Sequence, residues 1–350
     1  MHHPAGDGLQ CCMTRISLVL PFALPPPELA PDLARALQTP SLAALISRPR
    51  SRADTPHDDA LRTLPYESWL ARHMGVSADG RPAFTAAVMR AHGLDSAAGT
   101  WFMLHPAHIE VTRSHLLLHD ARGLRLDEEH ARALFDAAKP YVDDTGKTLL
   151  YGDASTWFMR ADGWAELSTA SPDSAVSLNL TDWLPAGPKA VEFRKLQNEI
   201  QMLWFEHPAN VERAARGQTS INGFWPWAPT TASAGAATDA LYSIDVPPWL
   251  AKLTNQKDAG IGTLIGARRD ATLVCGQLIE SAMAGDWAAW LAHMAQLDAS
   301  VFAPALAAVQ SGAITLQLLL SDRTRQRDLT ITSLAQRAFW RRPSLSALLP

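Results

Sequence analysis

The segment Thr14-Arg-Ile-Ser-Leu-Val-Leu-Pro21 is the clearest indication of the fold class of this chain. Its run of apolar residues predicts a buried strand that ends at Pro21. A proline-rich turn follows, and the sequence then predicts a helix over roughly 31–37 and a second helical stretch around 42–46. A strand that leads directly into helices is typical of an α/β protein.

The residues around this strand give no sign of export. Residues 1–12 are polar and are expected to be disordered, and Met13 is an alternative to Met1 as the start of translation. The apolar stretch 16–24 is too short to span a membrane, and the prolines within and after it would break a signal-peptide helix. We therefore expect no membrane insertion and a cytoplasmic location.

Composition limits the classes of function. The chain has 350 residues, of which 47% are hydrophobic, so it can bury one large core or two ordinary ones. Its formal net charge of -4 gives no overall attraction to nucleic acids or anionic lipids, and such binding would need a local patch. Cys11, Cys12 and Cys275 have neither a disulfide pattern nor metal-ligand spacing, which favours a reducing compartment.

Three segments are expected along the chain: 1–98, 99–188 and 189–350. In the first, residues 48–65 are polar and interrupted by prolines, which predicts an exposed loop. The second predicts a small β-β-α-β-β unit, in which Thr-Trp-Phe-Met occurs at 100–103 and again at 156–159, either as a duplicated strand or as two similar core strands. We predict an α/β fold, a doubly wound sheet interrupted by an inserted smaller α+β domain.

A group of motifs follows a predicted helix over 189–206, whose apolar residues recur with helical spacing. His207-Pro-Ala-Asn210 ends that helix, and Asn222-Gly-Phe-Trp-Pro-Trp-Ala228 comes shortly after. These two motifs resemble those of the archaeal-type cofactor-independent phosphoglycerate mutases, which belong to the alkaline phosphatase superfamily. The run Leu196-Gln-Asn-Glu-Ile-Gln-Met202 is also similar to a proteobacterial group labelled phosphoglycerate mutase or RpfE-type regulatory protein. The resemblance implies an alkaline-phosphatase-like fold, with His207, Asn210, Asn222, Trp225 and Trp227 at family-motif positions.

The chain departs from the family where its chemistry would lie. The family has an Asp-Gly metal motif after its first strand, and this chain has Leu20-Pro-Phe-Ala23. The family's Asp and His positions before its late helix match 277–285, which contains neither residue, and its later Asp-His pair matches Asp322-Arg323. Phosphoryl transfer of this type needs metal ions and an activated nucleophile. We therefore expect no metal, no cofactor and a catalytically degenerate protein with a regulatory or binding role; the alternative is an active metal-dependent phosphomutase or phosphatase with ligands elsewhere.

Other chemical interpretations rest on single residue types. A hairpin could bring together two of His105, His108, His115 and His119 as a zinc site, although strand parity favours ordinary packing histidines. Ser155 and Ser281 lack the glycines of a nucleophile elbow. Trp225 and Trp227 are either a ligand pocket or, as we expect, buried joints between the inserted domain and the main sheet.

The last feature is a set of arginines near the C-terminus: Arg323, Arg325, Arg327, Arg341 and Arg342. The first three are predicted in a loop between two strands over 314–320 and 329–332. A merged basic surface would suit an acidic protein partner, and a nucleic-acid-associated factor is a further alternative. A charged edge that protects the sheet is the structural interpretation.

Overall fold

The computed structural model describes residues 14–96, 98–113, 115–231, 240–257, 259–338 and 340–350. The predicted disorder of 1–12, together with Cys11 and Cys12, lies outside these residues. Among the helices that are described, none is long and apolar enough to cross a membrane.

The strands of the described residues fall into two main sheets and two short hairpins. In chain order they are β1 (Thr14–Leu20), β2 (Ser51–Pro56), β3 (Ser77–Ala78), β4 (Arg81–Pro82), β5 (Trp101–Ala107), β6 (Ile109–Val111), β7 (Leu116–Leu118), β8 (Thr148–Asp153), β9 (Thr156–Arg160), β10 (Gly223–Thr230), β11 (Ala240–Ile244), β12 (Gln256–Lys257), β13 (Ala271–Cys275), β14 (Ile314–Ser321) and β15 (Arg325–Ile331).

The α-helices connect and cover these sheets. In chain order they are α1 (Ala30–Ala36), α2 (Pro40–Ser47), α3 (Pro65–His73), α4 (Thr85–Ala91), α5 (Ala121–Leu124), α6 (Glu128–Asp144), α7 (Pro172–Ala175), α8 (Ala190–Phe205), α9 (Pro208–Ala215), α10 (Pro248–Leu253), α11 (Ile261–Ala267), α12 (Ile279–Ala284), α13 (Trp287–Leu297), α14 (Ala303–Gln310) and α15 (Ser333–Gln336).

The large sheet has seven strands in the order β12-β11-β13-β1-β14-β15-β2. Strand β1 lies at its centre and pairs in parallel with β13 and β14, while β15 and β2 are added antiparallel. All five residues of β13 and the last five of β1 are buried. Because continuous burial requires cover on both faces of a sheet, helices enclose its centre. The predicted α/β class, with a mixed central sheet, is confirmed.

The outermost strand corrects one prediction. Residues 51–56, expected to lie in an exposed loop, form β2, which pairs with β15 from Arg325↔Pro56 to Thr330↔Ser51. All six residues are exposed. The polar composition of β2 therefore reflects its position at the sheet edge, where neither face is covered, and hides the strand from a search for apolar alternation.

The small sheet has four strands in the order β10-β5-β9-β8, all antiparallel. The two Thr-Trp-Phe-Met copies are neighbours in it, with Phe102 opposite Met159 and Met103 opposite Phe158. Its edge strand β10 ends at Thr230. The segment 190–230 therefore belongs to the small sheet and its helices, although the sequence places 189–350 with the main sheet; the domain limits themselves stay a prediction.

The small sheet has an apolar core on each face. Phe102, Leu104 and Phe224 pack with helices α6 and α8 in a core of their own. Their strand neighbours Trp225 and Trp227 belong instead to the core that includes the large sheet. Because side chains alternate along a strand, one strand contributes to both cores, and the small sheet is a middle layer between its helices and the main body.

Candidate functional site

His207 and Asn210 support the turn between α8 and α9. His207 is the N-cap of α9, and its Nδ1 accepts a hydrogen bond from the backbone N–H of Ala209 at 3.2 Å. Asn210 is buried; its Nδ2 donates to the carbonyls of Trp204 and Ile221, and its Oδ1 accepts from Ile221 N at 2.8 Å. Each side chain thus serves the local backbone, and Asn210 has its polar atoms satisfied there.

Asn222 forms a bridge between two chain segments. The backbone N–H of Ile109 donates to its Oδ1 at 2.8 Å, and its Nδ2 donates back to the Ile109 carbonyl at 2.9 Å. This pair of bonds lies just before the first residue of β10 and just after the last residue of β5. The side-chain amide of Asn222 therefore joins the segment before β10 to the segment after β5.

Trp225 and Trp227 are buried at the contact between the two sheets. Each is 1% exposed. The indole of Trp225 donates to the carbonyl of Ala170 at 2.7 Å, and that of Trp227 donates to Nε2 of His105 at 2.8 Å. Both polar atoms have partners, and both rings lie in the core shared with the large sheet. This is the placement expected for joints between the two units.

The histidine cluster divides into separate environments. An indole N–H only donates, so Nε2 of His105 accepts from Trp227, and its Nδ1–H donates to the carbonyl of Ser155 at 2.8 Å. Burial lowers the pKa of His105. His108 and His119 meet at 4.7 Å between ring centroids, with Nε2 of His119 bonded to Glu110. No group of three or more possible metal ligands occurs among the described residues.

An aromatic residue and an arginine follow the carboxyl ends of the parallel strands β1 and β14. Phe22, just after β1, adopts a left-handed φ of 58°, and its carbonyl accepts from the indole of Trp290 at 2.9 Å. The guanidinium of Arg323, just after β14, lies 5.8 Å from the Phe22 ring centroid. Arg323 also donates to the carbonyls of Asp173, Ser174 and Val176 at 3.0–3.3 Å. A fixed cation therefore occupies the edge where open α/β sheets bind ligands.

A cavity of about 240 Å³ opens between this edge and the small sheet, lined in part by Glu67, His105, Arg122 and Asp173. Arg122 forms a bidentate pair with Asp173 at 3.0 and 3.1 Å, and its Nε donates to Asp120 at 3.0 Å. His105 is already bonded at both nitrogens, so His105 and Arg122 use their donors within the protein, and Arg125 is the exposed cation of the lining.

Glu67 is the most perturbed acid of the cavity. It is 1% exposed, and its Oε2 accepts from the backbone N–H of Leu64 at 2.8 Å. Burial, together with the nearby Asp173 carboxylate, raises its pKa from 4.5 to about 8. Glu67 is therefore largely protonated at neutral pH and can donate a hydrogen bond.

Sequence reasoning missed Glu67, Arg122 and Asp173. The Arg122–Asp173 pair joins residues 51 positions apart, with no motif linking them. Glu67 had one weak signal, its position in the first turn of a helix that begins at Pro65. A first-turn acid usually indicates capping, and here too it caps Leu64.

The predicted arginine surface is divided by the structure. Arg325 lies within β15, where it bonds to Asp322 at 2.6 Å and to the Pro25 carbonyl at 2.9 Å. Arg327, in the same strand, is 5% exposed and pairs with Asp54 of β2. Arg323 is held by carbonyls, and only Arg341 and Arg342 of the five are exposed. The loop predicted for Arg325 and Arg327 is wrong, because both lie in β15 and bind groups within the protein; a partner surface on these arginines stays a prediction.

The chain is similar to known proteins in its fold and not in its sequence. No protein-family profile matches the chain, and no curated protein matches it. The PH0037 protein from Pyrococcus horikoshii superimposes with a TM-score of 0.54 at 10% identity, covering 91% of this chain and 87% of that one. The chain shares its fold. A cofactor-independent phosphoglycerate mutase from Thermoplasma acidophilum DSM 1728 aligns over 91% of this chain and 90% of its own, at 15% identity and a TM-score of 0.41. At these identities the likeness to PH0037 concerns the fold alone.

Proposed function

We propose that this chain is a catalytically degenerate, phosphoglycerate-mutase-like protein with a regulatory or binding role. The main support is the position of Arg323, whose guanidinium donates to three carbonyls beside Phe22 at the carboxyl edge of the large sheet. A divalent cation bound beside Phe22 would meet the like charge of Arg323, and the neighbouring Asp322 carboxylate is already bonded to Arg325. This arrangement supports binding of an anion over metal-assisted phosphoryl transfer.

The hydrogen-bond network around the family-motif residues supports the same role. Asn210 and Asn222 use their amides on backbone groups, and Trp225 and Trp227 use their indoles to join the sheets. These residues stabilise the fold. Residues that would process a substrate would need free donors or acceptors facing a cavity.

A reducing location such as the cytoplasm is part of the proposal. Cys275 is buried in β13 and is a free thiol. Burial raises its pKa to about 12, so it stays an unreactive thiol at neutral pH.

Metal content and turnover test the proposal together. Elemental analysis of the purified protein should find no stoichiometric manganese or zinc, and a coupled assay should find no interconversion of 2- and 3-phosphoglycerate with either metal added. A known metal-dependent mutase in the same assay is the positive control. Turnover that disappears on chelation would overturn the proposal and favour an active phosphomutase.

A further inference from the structure

A second cavity is lined by Ser174, whose neighbours Pro172 and Asp173 line the first cavity. It measures about 660 Å³, within the usual size of small-molecule sites, and is lined by residues that include Arg62, Leu64, Leu178, Trp183 and Arg323. Arg62 and Arg323 approach it from different parts of the chain. The first follows a 3-10 turn that ends at Leu61, and the second follows strand β14.

Neither guanidinium is neutralised within the described part of the chain. Arg62 donates through Nη2 to the carbonyls of Asp182 and Leu184, at 3.1 and 3.0 Å. Arg323 likewise bonds to carbonyls alone. Carbonyl oxygens orient a guanidinium without cancelling its charge, so neither cation is neutralised by the groups to which it is hydrogen-bonded.

Arg62 and Arg323 keep unused donors at this cavity. Nε and Nη1 of Arg62, and Nε of Arg323, have no hydrogen-bond partner among the described residues. In the first cavity Arg122 already holds two carboxylates. Burial lowers the pKa of both Arg62 and Arg323, and at Arg323 the nearby Asp173 carboxylate opposes this effect in part.

The carboxylates of this cavity do not compete for the arginines. Asp59 and Asp182 line it, but both are exposed and form no ion pair among the described residues. The apolar part of the lining comes from Leu64, Leu178 and the ring of Trp183, which lies 6.0 Å from the Arg62 guanidinium carbon. Charge and apolar surface are thus side by side.

We infer that this cavity, which we call the Arg62 cavity, binds a small organic oxyanion, with the phosphate or carboxylate group on Arg62 and Arg323 and an apolar or aromatic portion beside Trp183. The inference rests on the proposed binding role and names the chemical class of its ligand. Phosphate and carboxylate groups share the bidentate geometry that a guanidinium recognises.

Isothermal titration calorimetry tests this inference with phenyl phosphate, benzoate and inorganic phosphate as separate probes, and with benzyl alcohol as the neutral control. The wild type should bind phenyl phosphate or benzoate more tightly than inorganic phosphate and should not bind benzyl alcohol. The preferred probe identifies the anionic group. Equal binding of the neutral alcohol, or binding of no anion, would overturn the inference.

Variants locate the binding. Arg62→Gln removes one charge and should weaken binding about tenfold or more, whereas Arg35→Gln, an exposed arginine paired with Asp32, should bind as the wild type does. Asp182→Asn removes a negative charge from the lining and should tighten binding, which keeps the test valid if Arg62→Gln folds poorly. Unchanged affinity in both Arg62→Gln and Asp182→Asn would contradict the site.

The two proposals fail separately. Chelation-sensitive mutase turnover contradicts the proposed function, whereas the same affinity for anions with and without Arg62 contradicts the Arg62 cavity. Each readout comes from a different measurement on the same full-length protein.

Discussion

The junction between the two sheets and the outer edge of the large sheet are held together by different interactions. At the junction, Trp225 and Trp227 bury large apolar rings and donate their indole N–H groups to single partners. At the edge, Arg325 and Arg327 bind carboxylates and carbonyls. The first region depends on the removal of apolar surface from water, and the second on paired charges close to solvent.

The two regions also differ in the direction in which the fold shifts the pKa of a carboxyl group. At the junction, burial raises the pKa of Glu67 to about 8. At the edge, the hydrogen bond from Arg327 lowers the pKa of Asp54 to about 2, against a smaller opposing effect of burial. The folded state therefore favours the protonated form of Glu67 at the junction and the ionised form of Asp54 at the edge.

Truncation of a junction tryptophan should have the largest effect. Trp227→Ala should lower the free energy of unfolding by about 3 to 5 kcal/mol, because it leaves a cavity in the shared core. Trp227→Phe is the matched control, since it keeps most of the ring and loses the bond to His105. Denaturant unfolding measures both. A melting temperature for Trp227→Ala within a degree or two of the wild type would show that the ring is exposed.

The pH dependence at Glu67 should come next. Its pKa in the folded state lies above the unfolded value of 4.5, so its favourable contribution is complete below about pH 4.5 and is lost as the pH rises through about 8. Each unit of difference corresponds to about 1.4 kcal/mol. Glu67→Gln keeps a neutral acceptor for Leu64 N, and its unfolding free energy should vary less over this range. A variant with the same pH profile as the wild type would exclude Glu67 as the cause.

Disruption of the Arg327 pair should have a smaller effect. Arg327→Ala should cost about 1 to 3 kcal/mol, because the carbonyls of Ala347 and Leu349 and the carboxylate of Asp54 lose their donor. Asp54→Asn should cost less, since Asp54 is half exposed and water can replace it. The contribution of Asp54 is present above about pH 3.8 and is lost as the pH falls through about 2. Equal stability of Arg327→Ala and wild type in denaturant would contradict the pairing.

The exposed arginines should matter least for stability. Arg341→Glu and Arg342→Glu should stay within about 0.5 kcal/mol of the wild type, as surface substitutions usually do. Arg325→Glu is the contrasting variant, because it places a carboxylate beside Asp322. Thermal unfolding of the three variants compares them directly. Comparable destabilisation by Arg341→Glu and Arg325→Glu would mean that the tail is packed as firmly as the strand.

The burial of the junction tryptophans can be predicted from the sequence, whereas the burial of Arg327 at the edge cannot. The burial of Trp225 and Trp227 follows from their own side chains, because a large apolar ring leaves water in almost any fold. Whether an arginine is exposed depends on its partner, and the partner of Arg327 is Asp54, 273 residues away. No local sequence pattern indicates that these two residues pair.

The same limit explains the candidate site. The central strand β1 and helix α8 can be predicted because the apolar run of the first and the apolar periodicity of the second are local. The Arg62 cavity joins a turn at 59–61, a segment around 174–183 and the end of β14, and only the fold brings them together. The sequence shows Arg323 as a charge, but its bonds to the carbonyls of Asp173, Ser174 and Val176 depend on the fold.

The position of β1 sets the order in which the protein can be completed during synthesis. Its two neighbours, β13 and β14, lie at 271–275 and 314–321, so the centre of the large sheet cannot close until most of the chain has been made. The small sheet draws all its strands from 101–230 and can form much earlier. We therefore expect the small sheet to fold first during synthesis. Strand β1 should remain unpaired until β13 and β14, which are hundreds of residues later in the chain, have been made.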